Sequence, residues 1–318
     1  MASADLSVKD ITVYVVSPLT LRRFRPYFEH AELLENLLFE QHRHRHEMFV
    51  DFMGWRSRNI QTHTQIALDT GEIFNIECDA FDKDNAIYSI AVDPDFNFMG
   101  STRAASTMLP TMLEDDEFKK SFYPGLQPVK DYSVFEGTRI ISPNAKLYEG
   151  TRQINRVKGG VAMPLLYSHL EMSEDLGFTG SVGTMPPVLQ EKTYGRMGLP
   201  YHHLGHAVTI KDDEGHELDE GVPTQAYFYK VNPEINAQVR QVMGKRISAE
   251  LGEEYQVPER MNNYGVPDDV LPGVIQHMKE NLHNGNHPHR IETDLSPETR
   301  RVKPMTKAKA PEEMRFAL

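Results

Sequence analysis

The order of helical and strand-like segments predicts an α/β (α+β) protein built on one central sheet. Three observations carry that expectation. Apolar residues recur at helical spacing between Leu19 and about Asp51, short β-branched runs follow as far as Ile141, and helix and strand patterns alternate from Gly160 to Val231.

Taken in order, residues 11–16 (Ile-Thr-Val-Tyr-Val-Val) are β-branched and aromatic and read as a strand that Ser17-Pro18 stops. Phe28, Leu33, Leu34, Leu37 and Leu38, with Met48 and Phe49 beyond, then mark helices. Residues 64–68 and 73–77 are strand candidates, and Asp93-Pro94-Asp95 is a turn that joins 86–92 to 98–104 as an antiparallel hairpin. Residues 110–118 read as a polar connection, and 132–141 alternate with period two as a further strand. Gly159-Gly160 open a helix through Leu165, Leu166, Leu170 and Leu176, with Gly177 as its C-cap. A strand at 178–184, a helix at 187–197 and a strand at 200–204 come next, and 207–210 with 224–231 flank an acidic loop as a closing hairpin. Beyond Val231 the character changes. Pro233–Leu251 is an amphipathic helix, 268–282 is another, and 284–310 is expected to be an extended or disordered tail, poor in large apolar residues. The expected division is therefore 1–232 for the chemistry and 233–318 for a helical extension with a polar tail.

A chain of 318 residues with 39% hydrophobic and 25% charged residues has ample length for a core. No run of about 18 apolar residues is present, and the acidic N-terminus lacks the order of a signal peptide, so a cytoplasmic protein without a membrane anchor is expected. The net charge of −12 repels phosphate backbones and argues against nucleic acid as a partner. The single cysteine, Cys78, excludes an intrachain disulfide and a multi-cysteine metal site. Glu77 and Asp79 beside it raise a thiol pKa, which favours a packed strand residue over a nucleophile.

The chemistry concentrates in residues 45–139. Three acids, Glu77, Asp79 and Asp82, fall near the end of one strand, with Arg103 near the end of its expected partner strand. Buried acids and arginines are costly unless paired, so the cluster is either a structural ion-pair network or a site for a zwitterion. Trp55 is a core anchor or an aromatic wall for a flat or cationic ligand. The run His42-Arg43-His44-Arg45-His46 lacks further ligand partners at helical spacing and is expected on a solvated or anion-facing helix surface, with no metal site.

Arg45, Phe49 and Trp55, followed by Glu77, Asp79 and Asp82, by Gly100-Ser101-Thr102-Arg103 and by Glu136 and Arg139, resemble the motifs of the acyl-homoserine lactone synthases, the autoinducer synthases of bacterial quorum sensing. The likeness covers about residues 30–231. It includes Arg196-Met197-Gly198-Leu199 and Leu204-Gly205, with Leu199 departing from the usual aromatic. The resemblance implies a GNAT-like three-layer sandwich whose twisted mixed, mostly antiparallel sheet splits in a V where the acyl chain lies. It implies S-adenosylmethionine as the amine substrate, an acyl carrier protein or an acyl-CoA as donor, and no metal or redox cofactor. Arg45 would then neutralise a ligand carboxylate, and Phe49 and Trp55 would cover the sulfonium end. Asp79, Asp82 and Arg103 would hold the methionyl amine, Glu136 would take its proton, and Arg139 would hold Glu136 or the pocket wall. Thr184 would lie by the acyl chain, or is an ordinary strand threonine. Lys192 and Arg196, four apart and so on one helix face, would dock the carrier, helped by Arg152, Arg156 and Lys158, or else form a solvated face. A homo-oligomer through the extension is a further expectation. Two other readings stay open: a related N-acyltransferase acting on another amine, and a non-catalytic S-adenosylmethionine sensor.

Overall fold

The computed structural model describes residues 6–52, 60–66, 73–79, 81–142, 157–209 and 223–285. Ten strands are present among them: β1 (Thr12–Val16), β2 (Ile60–Ile66), β3 (Ile73–Asp79), β4 (Ile87–Val92), β5 (Phe98–Ser106), β6 (Val134–Ile141), β7 (Gly180–Met185), β8 (Tyr201–His203), β9 (Gln225–Lys230) and β10 (Asn262–Asn263). The helices are α1 (Pro18–Phe24), α2 (Ala31–Arg45), α3 (Asp116–Ser121), α4 (Ala162–Leu176), α5 (Pro187–Gln190), α6 (Pro233–Leu251) and α7 (Leu271–Leu282). No helix among the described residues is long and apolar enough to cross a membrane.

Eight strands form one mixed sheet in the order β10-β1-β4-β5-β6-β7-β9-β8, and β2 with β3 form a separate two-stranded sheet. Only the β1–β10 and β6–β7 pairs in the large sheet are parallel. Alternation along β4 shows why helices flank both faces. Tyr88 and Ile90 pack with Leu34 and Leu37 of α2, whereas Ile87 packs with Met172 and Leu176 of α4. The mixed sheet flanked by helices is the fold class that the element order predicts.

The sheet splits between β6 and β7. Their parallel register holds only from Val134 to Glu136, opposite Gly180 to Val182, while β5 stays paired with β6 as far as Ile141. Beyond Glu136 the two strands part. An apolar wall of Leu113, Phe118, Val182 and Ala226 flanks this place.

Several local expectations need correction. The acidic strand β3 pairs antiparallel with β2, not with the strand of Arg103. The acids therefore reach the arginine across a layer rather than along a ladder. The segment His42–His46 is not a solvated surface, since all five side chains are buried. His42 Nδ1 bonds the Glu77 carbonyl, His44 stacks on Phe98 and bonds Glu47, and Arg43 pairs with Glu40, so this end of α2 is closed over by its neighbours. The connection at 110–118 contains a capping box at Thr111 and leads into α3. The helix expected at 187–197 breaks after Gln190 into a π-helical turn, Glu191–Gly195. Among the described residues the closing hairpin shows one bridge, between Val208 and Thr224, and β9 lies between β7 and β8. Gly177 does cap α4, with φ of 74° in the left-handed region that favours glycine.

The residues after Val231 join the same core. β10 extends the sheet beside β1, Val239, Met243 and Ile247 of α6 are fully buried in the main cluster, and Val274, Met278 and Leu282 of α7 pack with Met172 and Leu176 of α4. Of the tail expected at 284–310, all beyond Gly285 lies outside the described residues.

Candidate active site

Three arginines and three carboxylates meet beside the split, contributed by four parts of the chain. Arg45 ends α2, Glu77 and Asp79 end β3, Asp82 follows it, Arg103 lies in β5 and Arg139 in β6. Arg45 donates to Glu77 Oε2 at 2.5 Å and grips Asp82 through two parallel bonds of 2.6 and 2.7 Å. Arg103 Nη1 bonds Asp79 and Asp82, each at 2.6 Å, and its Nε bonds Thr138 Oγ1. Arg139 lies 2.8 Å from Asp79 and 3.3 Å from Glu77. All these side chains are buried and their formal charges cancel, which is the condition for keeping ions out of water.

Local backbone features aim these groups. A π-helical turn, His46–Phe52, continues α2 and sets the Phe49 ring 5.2 Å from the Arg139 guanidinium. Arg139 has φ of 55°, unusual for a residue with a side chain, where the register between β5 and β6 shifts past Arg103. The shift sends its side chain towards Glu77 and Asp79. Burial pushes up on the Asp82 carboxyl, but Arg103, Arg45 and His42 outweigh it and hold Asp82 well below the usual range. At Glu77 burial prevails over Arg45 and Arg139 and raises the carboxyl.

Glu136 stands apart from this closed circuit. It is the last residue of β6 paired with β7, is fully buried, and its pKa is pushed up to about 7 by burial, against the pull of Arg103 and the Met112 amide. Met112 N–H donates to Glu136 Oε1 at 3.0 Å, whereas Oε2 has no hydrogen-bond partner among the described residues. Arg103 Nη2 is likewise without one. Unmatched buried polar atoms are uncommon in folded proteins. An acceptor and a donor of this kind beside a split sheet form a place for a polar ligand and a carboxylate able to exchange a proton near neutral pH.

The fold thus brings Arg45, Asp79, Asp82, Arg103 and Arg139 into direct contact and sets Glu136 within their electrostatic reach. Phe49 joins them through Arg139. Arg45, expected to face a ligand carboxylate, has its donors on Glu77 and Asp82. Arg139 contacts the acids of β3. Thr184 is half-buried on β7, two residues beyond Val182, the register partner of Glu136. Lys192 and Arg196 are exposed, close in sequence to the exposed Val188 and Leu189. Trp55, Arg152 and Arg156 lie outside the described residues. Sequence inspection missed Tyr88, whose hydroxyl bonds Asp82 at 3.0 Å, and Met112, which acts through its backbone and so carries no side-chain signal. Cys78 is buried, and burial together with Asp82 pushes its thiol well up, as expected for a packed residue.

Comparison with known proteins supports the same region. An acyl-homoserine-lactone synthase of Pseudomonas chlororaphis is 28% identical over 174 residues, which cover 54% of this chain and 73% of that protein. One of Ralstonia nicotianae is 26% identical over 163 residues, covering 51% and 71%. Among solved structures, the CoA-dependent acyl-homoserine lactone synthase BjaI with SAM and isopentyl-CoA aligns with a TM-score of 0.54 at 16% identity, over 85% of this chain and 99% of that one. MesI, also a CoA-dependent acyl-homoserine lactone synthase, gives 0.51 at 19% identity, over 79% and 98%. These two show a shared fold. The autoinducer synthase family model matches residues 29–217, which spans α2 through β8 and every member of the charge cluster, and the chain belongs to that family.

Proposed function

We propose that this protein is an acyl-homoserine lactone synthase that transfers an acyl group from a thioester to the amine of S-adenosylmethionine and then closes the lactone, releasing 5′-methylthioadenosine. The observation that carries the proposal is Glu136, a buried carboxylate pushed up to about 7 with one oxygen unpartnered among the described residues, at the point where the sheet opens. A free α-amine has a pKa of about 7.7–8.0. A base near 7 is therefore matched to removing its proton. The neutral amine attacks the thioester carbonyl, the thiol departs and an amide forms. The methionyl carboxylate then displaces the sulfonium from its own γ-carbon, a step that needs mainly orientation.

The paired cluster of Arg45, Asp79, Asp82, Arg103 and Arg139 supplies that orientation as a rigid polar wall, with Arg103 Nη2 as the donor left for ligand. Phe49 and Trp55 are assigned to the sulfonium end, where cation–π attraction contributes roughly 0.5–2 kcal/mol. Thr184 is assigned to the acyl chain. The donor is read as an acyl carrier protein docking on Lys192 and Arg196, with acyl-CoA as the alternative. Any association of copies through α6 and α7 would use their outer surfaces, since their apolar faces are buried. No resident cofactor is assigned.

Incubation with S-adenosylmethionine and a panel of acyl thioesters tests the proposal. The expected result is methylthioadenosine released in step with free thiol for at least one donor. Thiol release without S-adenosylmethionine, or none with any donor, overturns it.

A further inference from the structure

Resting on the synthase function proposed above, we infer that His283, at the end of helix α7, is a positioning residue for Glu136 that acts through the connection between β5 and β6. The end of α7 is pinned by Asn85, whose Nδ2 donates to the carbonyls of Asn281, Leu282 and Asn284 at 2.9, 2.8 and 3.0 Å. The His283 ring then bridges two places in the sheet. Its Nδ1 lies 2.6 Å from Oγ of Ser106, the last residue of β5, and the ring packs edge-on against the Tyr132 ring just ahead of β6, with centroids 5.0 Å apart. One imidazole thus joins both ends of the segment 107–131.

The hydrogen bonds have a consistent direction. In the tautomer protonated at Nε2, Nδ1 accepts from the Ser106 hydroxyl. Burial holds His283 below the usual histidine range, which keeps the ring neutral for that task. Ser106 Oγ in turn accepts from Met108 N–H at 3.0 Å. A Cβ at Gly285 would come within 2.9 Å of Leu109, so the chain leaving α7 runs directly against this turn.

The same turn leads to Met112, whose amide makes the one hydrogen bond that the Glu136 carboxylate has among the described residues. The charged or titratable groups acting on Glu136 come from other elements: Arg103 of β5, Arg139 of β6 and Asp79 of β3, with Tyr227 of β9 affected by Glu136 in return. Of these influences, only the Met112 amide is carried by the turn that His283 holds. The extension after Val231 would in this way set the ionisation of a base that lies in the family-matched part of the chain.

The acid limb of the pH–rate profile in the full chain tests this. Met112→Pro removes the amide hydrogen at the first position of a short helix, where proline is well accommodated after the extended Thr111. It should move the limb upward by about one pH unit, the effect of losing one backbone bond to a carboxylate. His283→Ala and Ser106→Ala should move it the same way, and His283→Asn, which keeps an acceptor and a donor, should restore it. A purely structural His283 would lower the melting temperature and leave the limb in place. A limb unmoved in folded His283→Ala, or in Ser106→Ala if the former does not fold, overturns the inference while leaving the synthase function standing. A wild-type profile without an acid limb near 7, or a limb unmoved by Met112→Pro, removes Glu136 as the base and overturns the inference with it, whereas absence of methylthioadenosine release with every donor overturns the synthase function itself.

Discussion

At the scale of single residues, Glu136 carries opposed demands of stability and chemistry. Its native pKa of about 7 exceeds the ordinary glutamate value of 4.5 because it is buried. Between pH about 4.5 and 7 an unfolded chain has released this proton while the native protein still holds it, so stability falls as pH rises through that window and the full cost is present above 7. The cost is about 3 kcal/mol. Glu136→Gln should therefore unfold at higher urea concentration than wild type at pH 8, with the difference vanishing at pH 4. The same variant should lose at least about a hundredfold in turnover, the usual contribution of a general base. Equal urea midpoints at pH 8, or near-normal turnover, would show that Glu136 is not the buried base.

At the scale of elements, α6, α7 and β10 are part of the structure that holds the site rather than an attachment to it. Val239, Met243, Ile247, Val274, Met278 and Leu282 are almost wholly removed from water, and truncating one such side chain costs roughly 2–5 kcal/mol. Removing all of them together exceeds the stability of a typical domain. A fragment ending at residue 232 should therefore be insoluble or lack a cooperative thermal transition. A soluble, cooperatively folding fragment with full activity would show the matched segment to be self-sufficient. The periodicity of Pro233–Leu251 was readable in the sequence because the apolar residues recur every three or four positions. The partner of that apolar stripe, α4, was not, since amphipathicity names a face and not its neighbour. The pairing of β3 with β2 is not legible in the sequence for the same reason: alternation marks a strand without naming the strand beside it.

At the scale of the whole molecule, the net charge of −12 would oppose approach of an acidic carrier protein, so the proposed use of such a donor requires a local exception. Lys192 and Arg196, both exposed and close in sequence to the exposed Val188 and Leu189, are the proposed exception. Replacing both cations by glutamate should raise KM for a carrier-bound acyl donor by about tenfold and make it less sensitive to salt, with KM for S-adenosylmethionine unchanged. A KM for the carrier that does not move would mark this surface as merely solvated.

Residue types and their order were enough to read the class of fold, most helices and strands, and a charge cluster belonging to the synthase family. Each of these follows from local periodicity or from motifs along the chain. Only the folded chain decided which arginine meets which acid, that the segment His42–His46 is enclosed, and that Glu136 keeps, among the described residues, an unmatched oxygen beside a backbone amide. Those are distances of a few ångströms between segments far apart in sequence, and the ionisation of a carboxylate depends on what surrounds it in space.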